Sequence, residues 1–183
     1  EGLITDFDGV EVGMAPAKQG LDFNRNFGAN WQPEAKQSGA GEYPMSEPET
    51  RALAAFVTAH PNICGVHSLH TGMESIIRPP STQTDKQMPP EDLRRIWEIA
   101  RLGVEETGYI LFSDYKLNDD VYAIHGDFGC WCYEFLGLVA FTVELWDLRA
   151  RGGRDYLELS EMNKKRDLDG LEEVEAALLR WND

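Results

Sequence analysis

The segment 20–27 reads GLDFNRNF and places Arg25 between two asparagines, Asn24 and Asn26. Arginine offers planar donors that match the two oxygens of a carboxylate, and neighbouring asparagine amides can add further hydrogen bonds. The chain carries 32 acidic and only 17 basic residues, so this grouping of donors stands out from the composition. The pattern favours a site that holds a carboxylate at two points.

Two further residues do not fit a plain apolar core. His70 comes at the end of the predicted strand NICGVHSLHTG (62–72), and Glu144 lies inside the apolar stretch LVAFTVELW (138–146). An unpaired buried carboxylate is costly, and ligands of open α/β sheets bind beyond the carboxyl ends of the strands. Each residue also has a plain structural interpretation, as a hydrogen-bonded core histidine and a salt-bridged glutamate.

The spacing of apolar residues predicts the elements that would position these groups. The stretch 46–61 is typical of a helix that begins with a capping box and ends before Pro61. Its predicted buried stripe consists of Leu53, Phe56 and Val57. A second amphipathic helix is predicted over 90–107, ending at Gly108, and a third over 171–181.

Strands alternate with these helices. The stretch 62–72 has the pattern of a strand buried on both faces, 109–115 is a short strand candidate, and 138–146 is a further buried strand. A polar turn is expected at 116–120, and a short helix is expected at 130–136. This order predicts one α/β domain with a mixed, mainly parallel sheet and helices on both faces.

Composition excludes several functional classes. The net charge of −15 and the lack of a basic run argue against nucleic-acid partners. No window reaches the roughly 18 apolar residues of a membrane span, so a membrane partner is not expected. An acidic surface usually keeps a protein soluble, although it can also attract basic substrates. The three cysteines do not suggest a disulfide framework, and free thiols slightly favour a cytoplasmic location.

The chain resembles the zinc carboxypeptidases of the carboxypeptidase A type. Six segments match that family's motifs in the family's order, namely GLDFNRNF (20–27), YPMSEPETRAL (43–53), HPNICGVHSLHT (60–71), TGY (107–109), HGDFGCWCYEFLG (125–137) and FTVELW (141–146). The resemblance implies a carboxypeptidase-like α/β fold for a single domain over 1–183, with the motifs within 20–147. The apolar spacing of the remaining residues predicts a helical extension over 148–183. It also implies hydrolysis of the C-terminal peptide bond of peptides that have a free C-terminus.

The resemblance assigns roles to individual residues. Asn24 and Arg25 match the pair that binds the substrate's terminal carboxylate, and His70 matches a ligand of the catalytic Zn2+. Glu144 matches the glutamate that acts as general base on a zinc-activated water. Asp22 matches an acid that orients another zinc ligand.

Three loop residues keep more than one interpretation. Tyr122 falls where the family has a mobile tyrosine that covers the substrate, and His125 is a rival for that place. Counted from Trp131, Asp127 comes close to the family's selectivity-setting position. It would there favour a basic C-terminal residue, although loop aspartates more often form turns.

The chain also departs from the family pattern. The family's first two zinc ligands lie in an H-x-x-E motif upstream of the asparagine–arginine pair, and no histidine precedes Asn24 here. Catalytic zinc uses about three protein ligands. We therefore expect the C-terminal part of a catalytic domain, incomplete at its N-terminal side, whose missing N-terminal half is its partner. Lys18 is a candidate for stabilising the oxyanion.

The same residues are compatible with two alternative functions. One is a zinc-free module that binds peptide termini, which the absent ligands favour. The other is an N-acyl amino acid amidohydrolase of the related acylase type, which would use the same zinc, arginine and glutamate.

Overall fold

A computed structural model describes residues 20–114 and 124–146, which contain a four-stranded mixed sheet. The strands are β1 (Gly65–Thr71), β2 (Ser75–Arg78), β3 (Ile110–Ser113) and β4 (Val139–Leu145), in the order β1-β4-β2-β3. β1 runs parallel to β4 and β2 parallel to β3, whereas β2 and β4 are antiparallel. Two of the three pairings are thus parallel, which confirms the predicted mixed, mainly parallel sheet.

Three helices and one short turn accompany the sheet in the described part of the chain. They are the 3-10 turn Phe23–Arg25, α1 (Pro48–Ala59), α2 (Pro90–Thr107) and α3 (Phe128–Leu136). α2 ends where the sequence predicted, because Gly108 has φ 73° and can close the helix in a left-handed conformation. α3 begins two residues before its predicted start, with Asp127 as its N-cap.

The two faces of β4 enter two different cores. Ala140 packs with α1 and α3 on one face, and Phe141 packs with α2 on the other. This is the result of the period of two in a strand, which the sequence of β4 displays. Helices therefore cover both faces of the sheet, as predicted.

β1 differs from its prediction. It is an edge strand of the described sheet, and Val66, Ser68 and His70 are half-buried while the residues between them are exposed. The expectation of a strand buried on both faces is therefore wrong for the described structure. Alternating small and apolar residues make such burial possible, but no described helix covers the outer face of this strand.

The start of α1 also departs from its prediction. Glu47, not Ser46, is the N-cap, and no side chain caps the first turn. Val57 is buried as expected, but Leu53 and Phe56 are 42% and 57% exposed. Apolar spacing located the helix correctly and misjudged which side of it meets the core, where Thr50 and Ala54 lie instead.

The sequence analysis did not identify β2. Its four residues, Ser75–Arg78, are all buried, and the strand is too short to show an alternating pattern. Arg78 is only 2% exposed, yet arginine is usually a surface residue, so its presence in the sequence does not indicate a buried strand. Its guanidinium pairs with Asp85 and donates to the carbonyl oxygen of Pro79 at 3.2 Å.

Several predicted features lie outside the described residues. They are Lys18, the turn at 116–120, Tyr122, the helix over 171–181 and the extension over 148–183. Within 20–114 and 124–146, none of the helices is long and apolar enough to cross a membrane.

Asn26 ties the 3-10 turn to the start of α1. Its side chain is fully buried, and Nδ2 donates to the carbonyl oxygen of Ala40 at 2.7 Å and to Ser46 Oγ at 2.9 Å. Oδ1 accepts from Thr50 Oγ1 at 2.8 Å and from the Glu47 backbone N–H at 3.2 Å. Asn26 is thus a structural tether, and the sequence-based interpretation of it as a second carboxylate donor is wrong.

We expect Asn26→Ala to lower the free energy of unfolding by about 2–4 kcal/mol, because it leaves several buried polar groups without partners. Urea denaturation measures this loss. The matched control is Asn62→Ala at an exposed position, where we expect a change below about 0.5 kcal/mol. Equal losses in the two variants would contradict the tethering role.

Candidate functional site

His70 and Glu144 face each other at the C-terminal ends of two parallel strands. The pairing of β1 with β4 makes His70 the register partner of Glu144, and the antiparallel pairing with β2 makes Ser75 its partner on the other side. Parallel neighbours end at the same edge of a sheet, so both side chains come to one place. The convergence expected from the sequence is present in the backbone pairing.

His70 is held by its own strand. Its Nε2 lies 3.1 Å from Ser68 Oγ, two residues earlier on the same face of β1. Because that contact engages Nε2, Nδ1 is the nitrogen that can bind a metal or a ligand. Burial lowers the pKa of His70, and the positive charge of Arg25 acts in the same direction, while the carboxylates of Asp22 and Asp127 oppose the shift. The ring is therefore biased towards its neutral form, which is the form that binds metal ions.

Glu144 lies half-buried on β4, one of the two inner strands of the described sheet. Burial raises its pKa to about 7, and the nearby Arg25 guanidinium opposes the rise. A carboxylate that titrates near neutral pH can both take up and give back a proton under ordinary conditions. Its environment suits a proton-transfer group.

Arg25 is placed by the short turn that contains it. Only 9% of Arg25 is exposed, its Nη1 donates to the Asn24 carbonyl oxygen at 2.8 Å, and the same nitrogen lies 3.5 Å from Asp22 Oδ2. Asp22 also caps the turn, since its Oδ1 accepts from the Asn24 backbone N–H at 2.9 Å. The carboxylate of Asp22 thus orients both the turn and the guanidinium.

Asn24 is turned by a contact with α3. Its Oδ1 accepts from the Phe128 backbone N–H at 2.9 Å, at the start of that helix. The acceptor end of the amide is therefore used within the protein, and the Nδ2 end is the one that can donate to a ligand. This orientation agrees with the carboxylate-binding role that the sequence suggests for Asn24.

Gly126 allows the loop before α3 to pack against the arginine turn. Its φ is 75°, its N–H donates to the Ala29 carbonyl oxygen and its carbonyl oxygen accepts from the Phe27 N–H, both at 2.8 Å. A Cβ at Gly126 would collide with the Arg25 carbonyl oxygen and lie 3.0 Å from that of Phe27. Only glycine fits this contact, a requirement that the sequence analysis missed.

A groove of about 200 Å³ opens beside these residues. It runs between the arginine turn, α1, β1 and the start of α3, and its lining residues include Asn24, Leu53, Ser68, His70 and Phe128. Asn24 and His70 thus line one groove, Asp22 and Arg25 lie close enough to His70 to affect its charge, and Arg25 also affects the charge of Glu144.

Of the two candidates for the mobile loop residue, Tyr122 lies outside the described residues. His125 is half-buried, and its backbone N–H donates to Gln37 Oε1 at 3.1 Å. Its Nδ1 is buried and has no hydrogen-bond partner among the described residues. His125 is therefore fixed by its backbone, one residue before the glycine that contacts Arg25.

The described residues supply only part of a zinc site. His70 offers one nitrogen, and the one group of three potential metal-binding side chains within the described ranges is Asp114, Asp127 and Cys130, which does not include His70. Catalytic zinc sites use about three protein ligands and an open position. His70 fits zinc as a single ligand, and a complete site needs donors from elsewhere.

Comparisons with known proteins agree on one family. A sequence model of the zinc carboxypeptidase family matches residues 8–158. The chain is 31% identical to human mast cell carboxypeptidase A over 142 residues. This alignment covers 70% of the chain and 32% of that protein. It is 29% identical over 142 residues to human carboxypeptidase B2, covering 73% of the chain and 34% of that protein. The chain thus spans about a third of the length of these relatives.

Solved structures show the same fold. The structure of thrombin activatable fibrinolysis inhibitor matches with a TM-score of 0.59 and 22% identity, over 94% of this chain and 44% of that chain. Carboxypeptidase A from Helicoverpa armigera matches with a TM-score of 0.57 and 15% identity, over 91% of this chain and 44% of that chain. At these identities the likeness concerns the fold alone.

We expect Gly126→Ala to destabilise the protein by at least about 2 kcal/mol more than Gly137→Ala. Both glycines have positive φ, 75° and 68°, so both variants carry similar backbone strain. Only Gly126 has backbone atoms in the way of a Cβ, since nothing lies within 4 Å at Gly137. Denaturant unfolding measures the loss of unfolding free energy in each variant, and the difference between them is the effect of the collision. Equal losses in the two variants would show that Gly126 does not hold the arginine turn in place.

Proposed function

Because the chain belongs to the zinc carboxypeptidase family, we propose that it is the substrate-anchoring and proton-transfer part of a zinc-dependent metallocarboxypeptidase. The reaction is hydrolysis of the C-terminal peptide bond of peptides with a free C-terminus. The observation that carries the proposal is the pairing of His70 with Glu144 at one edge of the sheet, beside Arg25.

Arg25 and Asn24 bind the terminal carboxylate of the substrate in this proposal. The guanidinium of Arg25 is nearly buried and already oriented by Asp22, so little side-chain entropy is lost when an anion binds. Asn24 adds its Nδ2 donor, because its Oδ1 is engaged by α3. Fixing the chain end in this way determines which peptide bond lies over His70 and Glu144.

Glu144 is the proton-transfer group. One Oε accepts a proton from the attacking water, and the carboxylic acid then returns that proton to the nitrogen of the leaving amine. A pKa raised by burial to about 7 suits both halves of this cycle, since the group must gain and lose a proton in each turnover.

Zinc, when bound, would polarise the scissile carbonyl and make the attacking water more acidic. His70 would hold it through Nδ1, with Ser68 fixing the ring through Nε2. The remaining ligands of this proposal come from an H-x-x-E segment in the N-terminal half of the same domain, upstream of Asn24. Asp22, close enough to His70 to affect its charge, is available to orient one of those ligands.

A second candidate function is a zinc-free module that binds peptide termini. The observation that favours it is the single zinc-ligand candidate, His70, among the described residues at this site. This alternative leaves Glu144 without a role, since a half-buried carboxylate with a raised pKa does not assist carboxylate binding.

We expect Glu144→Gln, made in the natural full-length protein, to lower kcat by roughly 100-fold or more. The substitution keeps the shape and removes the base, so zinc content and peptide affinity should stay nearly unchanged. Release of the C-terminal amino acid from a peptide measures turnover, and metal analysis together with calorimetric binding measures the other two quantities.

The control is Glu42→Gln at an exposed position, which changes the net charge equally and should leave turnover intact. Near-normal turnover in Glu144→Gln would show that Glu144 is only a structural acid. Binding of free C-termini by the unmutated protein, with no turnover of any peptide, would favour the terminus-binding module.

A further inference from the structure

A buried polar cluster next to the candidate site has no part in the proposed reaction. It consists of Asp114, which follows β3, Asp127, the N-cap of α3, and Cys130 in the first turn of α3. All three residues are buried, and their potential metal-binding atoms lie within 4.8 Å of one another. Two carboxylates and a thiol are costly to bury together without a counter-charge, so the grouping indicates a partner of positive charge.

The internal hydrogen bonds of the cluster leave one carboxylate oxygen unused. Cys130 Sγ donates to Asp114 Oδ2 at 3.3 Å, and the Cys130 backbone N–H donates to Asp127 Oδ1 at 2.7 Å. Asp127 Oδ2 is buried without a hydrogen-bond partner among the described residues, and Asp127 as a whole is only 3% exposed. Because buried acceptors normally have a partner, this oxygen points to a donor or cation that the chain itself does not supply there.

The contact between Cys130 and Asp114 has the length expected for two ligands of one metal ion. In a tetrahedral zinc site the metal lies about 2.3 Å from sulfur and about 2.0 Å from a carboxylate oxygen, which places these two ligands roughly 3.5 Å apart. The observed distance from Sγ to Oδ2 is 3.3 Å. An ion would therefore replace the thiol proton between the two side chains with little movement of either. Asp127, with its unused oxygen, supplies the third ligand.

The surroundings of the cluster favour the protonated forms of its three groups. Burial raises the pKa of Asp114 and of Asp127, and the negative charge of Asp127 adds to the rise at Asp114. Burial and the two carboxylates also raise the pKa of the Cys130 thiol. Arg25 opposes the rise at both aspartates, but its effect is smaller than that of burial. A bound divalent cation would take the place of these protons, which pass to the solvent.

The types of donor atom in the cluster select the kind of cation. Mg2+ and Ca2+ bind oxygen ligands, about six or more of them, whereas zinc accepts thiolate together with carboxylate. The buried hydroxyl of Ser81 lies close enough to the Cys130 thiol to lower its pKa. The cluster thus offers one sulfur and two carboxylates, with a hydroxyl nearby for the fourth position of a tetrahedral ion.

We propose that Asp114, Asp127 and Cys130 bind a zinc ion at a site separate from His70. The ion would join the end of β3 to the first turn of α3, directly after the loop in which Gly126 packs against the arginine turn. Its role is structural, because it stabilises the start of α3 and takes no part in proton transfer. The proposal goes beyond the proposed carboxypeptidase reaction and does not depend on it.

The test replaces zinc by Co2+ in the natural full-length protein. A thiolate ligand gives bound Co2+ a charge-transfer absorption band in the near ultraviolet, which nitrogen and oxygen ligands do not give. We therefore expect this band when Co2+ is added to the metal-free protein, and we expect Zn2+ to abolish it by displacing Co2+. His70→Ala should retain the band, because a site built on His70 has no cysteine among the ligands proposed for it.

Three variants test the proposed ligands. Cys130→Ser should abolish the band, since a hydroxyl replaces the thiolate. Asp127→Asn and Asp114→Asn should each lower the affinity for Co2+ at least about tenfold, because each keeps the shape of the side chain and removes a charged ligand. These two variants also decide the proposal if Cys130→Ser does not fold. The control is Cys64→Ser, which removes an exposed thiol and should leave both band and affinity unchanged.

Several results would overturn the proposal. They are the absence of the band in the unmutated protein, a band that survives Cys130→Ser, and an affinity for Co2+ that neither aspartate substitution alters. Loss of the band in Cys64→Ser would also overturn it, because the metal would then be bound at the surface. Failure of the carboxypeptidase function gives a different result, since no peptide would be cleaved while the Co2+ band, which needs no peptide, would still appear.

Discussion

The parallel register of β1 and β4 holds His70 opposite Glu144, and the proposed chemistry of the site depends on it. Side chains alternate along a strand, so a slip of one residue would bring His70 opposite Val143, whose side chain faces the other core. The register is maintained by packing, because Ala140 fits against α3 and Phe141 against α2 on opposite faces of β4. Apolar residues with no role in the proposed reaction thus determine the distance between His70 and Glu144.

The proposed carboxylate anchor, Arg25 with Asn24, depends on buried polar contacts instead. Asn26 connects the arginine turn to the start of α1, and Gly126 lets the loop before α3 lie against the Arg25 backbone. Asp22 orients the guanidinium, and the Phe128 N–H orients Asn24. These contacts come from three separate parts of the chain, so the proposed anchor is already formed without a ligand, and binding of a carboxylate would lose little entropy.

Sequence patterns predicted the positions of the helices and strands better than they predicted which of their residues are buried. The bounds of β4 and α2 were predicted closely, because a period of two residues in β4 and of 3.6 residues in α2 continues along the whole segment. The burial of β1 and the inner face of α1 were misjudged, because apolar spacing shows what a segment can bury and not what covers it. β2 was missed because four residues ending in a buried arginine show no period.

The sequence likewise indicated some residues of the candidate site and not others. The family resemblance suggested roles for His70, Glu144, Asn24 and Arg25, which lie near one another in the structure. It did not distinguish Asn24 from Asn26, because two asparagines on either side of an arginine look equivalent until burial is known. Asp114 carries no signal in the sequence, since its partners Asp127 and Cys130 join it only through the fold.

The central claim is that Arg25 anchors a terminal carboxylate, and a comparison of free and amidated peptides tests it most directly. The measurement is the rate at which the natural full-length protein removes the last residue from one peptide in two forms, with a free or an amidated C-terminus. If Arg25 anchors the terminal carboxylate, we expect the free form to react at least about 100-fold faster, and Arg25→Ala to remove most of that preference. Equal rates for the two forms in the unmutated protein would contradict the account.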